Sequence, residues 1–347
     1  MPGLVLLRHL LRTVGSAWLI LSVLFLLSRG ATDQRSLLQT MVESSARLGS
    51  LLEQPAVSQQ LLQRYGLDAP LFYVSWQPAT GWYWHGFHNQ YHTWLTQLLQ
   101  GNLGTSYRSE EPVLVLLGQA LQYTLPLTML AATLSIALAL YLVAATGYRP
   151  IVSNWVMSMA HTLQSIPLFL LALGLLLLLA NPDALNWFPA FGLGPTGPTS
   201  TSWSHPQALL YQLTLPTLSL VLGSFPALAI QLNGSLHQEL ARPYVATARA
   251  KGTSQGRTIW RHALRNALLP TVTLLTELLP SIVAGSVVVE VIFALPGMGR
   301  LIADAAVQQD YPVLLAGVGL VAIVRLLAQL LADILYPLLD PRIRITA

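Results

Sequence analysis

Cysteine is absent from all 347 residues, so the chain has no disulfide and no thiolate metal site. Charge is scarce as well: 9% of residues are Asp, Glu, Lys or Arg, against about a quarter in an ordinary soluble domain. Lysine is reduced to one residue, Lys251, followed by Gly252 rather than by serine or threonine. That excludes the Gly-Lys-Ser/Thr of a phosphate-binding loop. No His-Glu-x-x-His pair is present, and no nucleophile elbow is expected. Catalysis is therefore not expected of this chain, and nothing points to nucleic acid as a partner.

Apolar residues are what the chain has in abundance. They make up 53% of it, in several runs of about 18 residues or more, the length that crosses roughly 30 Å of hydrocarbon. The expected fold class is an all-α membrane protein with six transmembrane helices, at residues 13–28, 122–146, 155–180, 208–232, 268–293 and 313–336. The first is short, and Arg12 and Arg29 at its ends must snorkel for it to span. Its rival reading is a cleaved signal peptide with Arg8 and Arg12 at its start, although "SRGATDQ" makes a poor small-residue cleavage site.

With the N-terminus inside, one side of the membrane receives eleven basic residues (Arg8, Arg12, Arg149, Arg242, Arg249, Lys251, Arg257, Arg261, Arg265, Arg342 and Arg344) and two acids, Glu239 and Asp340. The other side receives Arg29, Arg35, Arg47, Arg64, Arg108 and Arg300 together with nine acids. Short inner loops carry the positive charge, so both termini are expected to be cytoplasmic. Proline at 126, 167, 216, 226, 270 and 280 removes backbone hydrogen bonds inside the spans, which fits either a bundle of bent helices or a moving pathway.

Three segments follow: residues 1–28 with the first helix, a large loop over 29–112, and a five-helix core over 113–347 that includes an inner loop at 233–267. The large loop is expected to hold short helices around 34–64 and 90–100. In the inner loop, Ala246 to Ala250 favours helix, Gly252 is placed to end it, and a second helical run, Arg257 to Leu269, leads on to Pro270. Arg249, Lys251, Arg257, Arg261 and Arg265 make this helix–turn–helix basic. On composition alone it is equally a surface for anionic lipid headgroups.

The residues themselves go further. "YVATARAKG" followed by "RHALRNALLP" closely resembles the cytoplasmic signature of ABC-importer permeases of the dipeptide/oligopeptide/nickel family. "VVVEVIFALPGMGRLIADAAVQQDYPVLLAGV", "LYPLLDPRIR", "YGLDAP" and "GNLGTSYRSEEPV" resemble the family's hairpin, ending and outer-loop signatures. The resemblance implies a type I importer permease in a bacterial inner membrane, with 29–112 in the periplasm. It implies as partners a second homologous permease, two ATPase subunits that bind the ATP and magnesium, a periplasmic or lipid-anchored substrate-binding protein, and membrane lipid. No cofactor is implied for this chain. Tyr244, Ala246, Thr247, Ala248, Arg249, Ala250, Lys251 and Gly252 match the coupling helix that docks on the ATPase. Short peptides are the implied cargo. Alternatives are nickel or another small solute on the same machinery, a non-ABC ion-coupled carrier, or a non-transporting sensor or scaffold. Departures from the family pattern cluster in the large loop and around span four: "SRGATDQRS" stands after span one, Asn102 replaces an acid, and Gln231 and Asn233 stand where arginine and serine are usual.

Other residues are candidates for binding or for the pathway. His85, His88 and His92 share one face if residues 85–92 are helical, which suits packing, interfacial anchoring, docking of a binding protein, or a divalent metal. Arg325, Gln329 and Asp333 form a stripe on span six, and Glu277 and Glu290 lie in span five. Ionisable groups at membrane depth face protein or a polar path.

Overall fold

In the computed structural model of the chain, residues 2–30, 68–77, 81–188, 206–268 and 286–339 are described. Their secondary structure is helical apart from one two-stranded hairpin and an isolated bridge. In chain order the elements are α1 (Pro2–Gly30), β1 (Val74–Gln77), β2 (Gly81–Trp84), α2 (Gln90–Leu99), α3 (Val113–Thr146), α4 (Pro150–Ser165), α5 (Leu168–Leu175) with a π-helical extension (Leu176–Ala180), and α6 (Pro206–Leu240). Then come α7 (Pro243–Ala250), α8 (Gln255–Arg257, passing through a π-helical stretch at Thr258–Ala263 and helical to 268), α9 (286–292), α10 (Met298–Val307) and α11 (Tyr311–Leu339).

Among the described residues four helical stretches are long and apolar enough to cross a membrane: Leu11–Gly30, Val113–Thr146, Leu210–Leu240 and Tyr311–Leu330. They match expected spans one, two, four and six. A fifth is available if α4 and α5 with its extension act as one span broken by a 98° bend. Of the expected span at 268–293, residues 269–285 lie outside the described residues, as does the expected helix at 34–64.

Proline acts in two ways here. Pro126 in α3 and both Pro216 and Pro226 in α6 each remove a backbone donor, yet both helices stay continuous. Pro167 differs because the residue before it also leaves the helical region. Ile166 sits at φ −88, ψ 122 and Pro167 at φ −57, ψ 140, as the clash between a proline ring and the preceding residue favours. The expected single span at 155–180 is thus two helices joined at a sharp corner.

Span four runs on to Leu240, eight residues beyond the expected end at 232, so the loop expected from 233 begins at Ala241. Asn233, Gly234 and Ser235 favour a turn by propensity, but burial outweighs them. Leu232 and Leu236 have lost nearly all exposure. Ser153 Oγ lies 3.3 Å from Asn233 Oδ1, and Gly147 gives Leu236 its room, since a Cβ there would stand 2.9 Å from Leu236 Cδ2.

The chain divides into two compact units, one of Met1–Val5, Leu121–Arg300 and Val324–Ala347, the other of Leu6–Ala120 and Leu301–Ile323. In the first, Leu127, Ala131, Ala139 and Val143 of α3 join one core with Leu213, Leu220, Leu228 and Leu232 of α6 and Ile259 and Ala263 of α8. In the second unit the core is aromatic: Phe25, Tyr91 and Leu315 gather Leu71, Phe72, Tyr73, Trp94 and Leu95.

Residues 104–112 in the second unit form a tight loop. Val113 N donates to Gly104 O (3.0 Å) and Ser106 N to Glu111 O (2.9 Å). The loop is tied to the start of α11 by Asp310, whose side chain accepts from Ser106 Oγ (2.5 Å) and Tyr107 N (3.1 Å) while Asp310 O receives Leu314 N. Asp310 is buried, so its loss strands two donors at about 1 kcal/mol or more each. Asp310→Ala is expected to raise the rate of trypsin cleavage after the exposed Arg108 several-fold, read by peptide mapping of the native protein.

Candidate functional site: a cationic loop helix

The basic loop is built from the end of α6, from α7, and from α8. Leu240 is the last residue of α6, Arg242 turns extended (φ −73, ψ 146), and Pro243 takes the first helical position of α7, where a missing N–H costs nothing. Tyr244 stitches three elements together. Its hydroxyl donates to Glu239 Oε2 (2.8 Å) on α6 and accepts from Asn266 Nδ2 (3.1 Å) beyond the π-helical stretch. Burial, and then the Glu239 carboxylate, hold the phenol above its ordinary pKa, so it stays a neutral donor at neutral pH. Arg242 Nε lies 3.6 Å from Glu239 Oε1. Glu239 is the only acid between 206 and 268, which leaves the loop strongly cationic.

Helix α7 ends as the sequence expects, at Gly252. Gly252 N donates to Arg249 O (2.9 Å) and Thr253 N to Ala248 O (3.3 Å). This paired closure of the last turn requires a left-handed residue, and Gly252 sits at φ +80. Ser254 then starts α8, with Thr258 N and Thr258 Oγ1 both donating to Ser254 O. Residues 252–256 read Gly-Thr-Ser-Gln-Gly, which is the spacing of a hydrolase elbow. They connect two helices rather than a strand and a helix, so the string does not build one.

Most of α7 is open. Val245 is its only buried residue. Of the eight candidate docking residues, Ala246, Thr247, Arg249, Ala250, Lys251 and Gly252 are exposed and Ala248 is half-buried. Tyr244 keeps an exposed ring edge while its hydroxyl is committed inward. On α8, Arg257, Trp260, Arg261 and Arg265 are also exposed, whereas Thr258, Ile259, Ala263, Leu264 and Ala267 are buried. The arrangement is a short helix held by buried Val245 and by the Tyr244 hydroxyl, offering backbone, small side chains and positive charge to whatever meets it.

The pathway candidates separate. Arg325 and Gln329 are exposed on α11, while Glu277 and the side chain of Asp333 lie outside the described residues. Glu290 has no exposed surface. Its carboxyl oxygens accept from Thr124 Oγ1 (2.7 Å), Gly299 N (2.7 Å) and Arg300 N (3.1 Å), and Met298 N donates to Thr124 Oγ1 (2.7 Å). Glu290 and Thr124 together cap the first turn of α10 and close the 293–297 turn, where Ala294 is left-handed (φ 51). Sequence reasoning missed Thr124 because no local pattern marks a hydroxyl whose partner is 166 residues away.

The histidines do not share a helical face. Gly86 is left-handed (φ 65), and Asn89 caps α2 by accepting His92 N at 2.8 Å, so only His92 lies in the helix. His85 Nε2 pairs with Ser75 Oγ (2.7 Å) and His92 Nδ1 with Tyr73 Oη (3.0 Å). Among the described residues no three His, Asp or Glu side chains converge as metal ligands would.

Comparison with known proteins adds two findings. Residues 135–345 match the family described as binding-protein-dependent transport system inner membrane component. The oligopeptide transport system permease protein AppB of Bacillus subtilis is 32% identical over 301 residues, 85% of this chain and 88% of that protein. The di/tripeptide transport system permease protein DppB of Pseudomonas aeruginosa is 32% identical over 317 residues, 86% and 88% of the two chains. The glutathione transport system permease protein GsiC of Salmonella typhi is 33% identical over 287 residues, 81% and 82%.

Proposed function

Because this chain belongs to the family of binding-protein-dependent transport system inner membrane components, we propose that it is the permease that carries short peptides across a bacterial inner membrane in an ATP-driven importer. The relatives named for oligopeptide, di/tripeptide and glutathione transport support that cargo. The observation that carries the mechanism is α7: a short, capped, cationic helix with one buried residue is a surface made to be met by another protein. In this reading Ala246, Thr247, Ala248, Arg249, Ala250, Lys251 and Gly252 dock on an ATPase subunit, and Tyr244 holds the helix at its angle. Closure of two ATPase subunits on ATP pushes α7, and α8 passes the displacement to the spans. ATP and magnesium belong to those subunits, and this chain needs no cofactor of its own.

The proposed topology has six spans, with 1–28 holding the first, 29–112 in the periplasm, 113–347 forming the core, and both termini cytoplasmic. The charge distribution supports it. A second, homologous permease completes the pathway, and a periplasmic or lipid-anchored binding protein delivers the cargo. Exposed Arg325 and Gln329 on an apolar helix fit burial against that second permease or a lining role beside Asp333. Glu277 is proposed for the same path.

Reconstituted with its partners in liposomes, the complex is expected to take up labelled di- and tripeptides with ATP inside the ATPase-facing compartment. Unlabelled peptide should compete, and nickel should not. Uptake suppressed by nickel and indifferent to peptides would assign the same machinery to a metal or another small solute.

A further inference from the structure

The hairpin β1–β2 presents one face that the peptide-permease reading leaves without a role. Its register pairs Val74 with Trp84 and Trp76 with Trp82. Directly opposed residues share a face and so do residues two apart along a strand, which puts Trp76, Trp82 and Trp84 together on one side. They are 61%, 76% and 62% exposed, and Phe87 beside them is 68% exposed. On the other side, Ser75 Oγ pairs with His85 Nε2, and the Tyr83 ring, itself 54% exposed, stands edge-on to His85.

The depth of this face is set by contacts within one unit. Tyr91 Oη and Ser22 Oγ are 2.7 Å apart, Trp94 stacks on Phe25 with ring centroids 4.7 Å apart, and Arg29 Nη2 donates to Tyr107 Oη. Ser22 lies seven residues before Arg29, about 10 Å along the helix, and inside the membrane-crossing stretch Leu11–Gly30. The start of α2 therefore stands alongside the span rather than beyond its end. The hairpin is fastened to that start: Tyr91 N donates to Leu71 O, His85 N to Tyr73 O, and Tyr73 stacks on Trp84.

Charge tells what surrounds it. Between Asp68 and Arg108, thirty-nine residues pass without an Asp, Glu, Lys or Arg, where a water-facing segment of that length would carry about ten. A binding protein that docks and leaves would expose the tryptophans to water in every cycle, and apolar patches of that size are rare on soluble surfaces. Tryptophan and tyrosine instead favour the boundary between headgroups and acyl chains. Among the described residues neither outer edge of the hairpin is paired with a further strand, which keeps it at that boundary, since unpaired backbone groups are not tolerated in the hydrocarbon itself.

We infer that the β1–β2 hairpin is a lipid-inserting element, with Trp76, Trp82 and Trp84 seated in the interface of the leaflet at the Gly30 end of α1. The inference rests on α1 as a membrane span, and not on the identity of the cargo. The natural absence of cysteine makes the test direct. Trp82→Cys, Val23→Cys and Glu110→Cys are each labelled with a nitroxide in the complex assembled in phosphatidylethanolamine/phosphatidylglycerol nanodiscs. Collisions with dissolved oxygen and with a water-soluble nickel chelate are then compared. At Trp82, as at Val23 on α1, oxygen is expected to be several-fold more effective than the chelate, with the order reversed at Glu110. Chelate access at Trp82 equal to that at Glu110, with Val23 still in lipid, overturns the inference and leaves the permease reading intact. Protection from both agents at Trp82 also overturns it and assigns the face to a protein partner. Chelate access at Val23 removes the span on which both readings depend. As a second measure, brominated lipid should quench the intact chain more than Trp76→Phe/Trp82→Phe/Trp84→Phe; equal fractional quenching speaks against the insertion.

Discussion

Glu290→Ala is expected to abolish most assembly of the permease, and Gly297→Ala to match it. The Glu290 carboxyl takes the Thr124 hydroxyl and the N–H groups of Gly299 and Arg300 in a site closed to water. Alanine leaves the buried Thr124 hydroxyl and Gly299 N–H, and the part-buried Arg300 N–H, without this acceptor, at about 1–3 kcal/mol for each buried donor. The sum is on the order of half the whole stability of an ordinary domain. A Cβ on Gly297 would collide with the same carboxyl group, and one on Gly299 would collide with the backbone of Val287, so the turn has no slack on either side. Glu290→Gln keeps one acceptor and the shape, and should fall between the native chain and alanine. The decisive measurement is a double-mutant cycle on thermal unfolding of the purified complex. Since the three atoms nearest to a Gly297 Cβ all belong to the Glu290 carboxyl group, the two alanine changes should be strongly non-additive. Strict additivity would mean that the carboxyl does not hold the turn.

This buried cluster also shows where reading the sequence stops. Membrane residence, the spans at α1, α3, α6 and α11, and the helix–Gly252–helix order of the basic loop are local properties, set by apolar run length, composition and one turn residue. They were legible. The end of α6 was misjudged because Asn233 and Gly234 look like a turn, while the burial of Leu232 and Leu236 that overrides them depends on residues of other helices. The three histidines share a face only if 85–92 is one helix, and left-handed Gly86 and the Asn89 cap rule that out. Thr124 with Glu290, and Ser106 with Asp310, are contacts across 166 and 204 residues, and no spacing rule reaches that far. The stretch from 69 to 107 is free of charge in the sequence, but its position beside α1 depends on the Ser22–Tyr91 pair, which no local pattern marks.

Gly252 offers the sharpest test of the docking helix, because here geometry isolates one cause. Among the described residues, nothing beyond its two chain neighbours lies within 4 Å of where its Cβ would be, so added bulk meets no packed neighbour there. The whole cost lies in φ +80, a left-handed backbone that costs an ordinary residue about 1–2 kcal/mol. That penalty reduces the closed helix end by a factor of about 5–30. Asparagine tolerates this conformation far better than alanine or a β-branched residue. Gly252→Asn should therefore retain most peptide-stimulated ATP hydrolysis, Gly252→Ala should lose several-fold, and Gly252→Val should lose most of it along with ATPase subunits during purification. Arg249→Glu, which leaves the backbone alone and reverses a charge on the exposed face, should release the same subunits at physiological salt. Asparagine as damaging as valine would show that a partner packs on the bare glycine itself, so that surface rather than backbone is what the position supplies. Valine and Arg249→Glu both fully coupled would place the ATPase contact elsewhere on the chain, and α7 would be left as a basic helix resting on lipid headgroups.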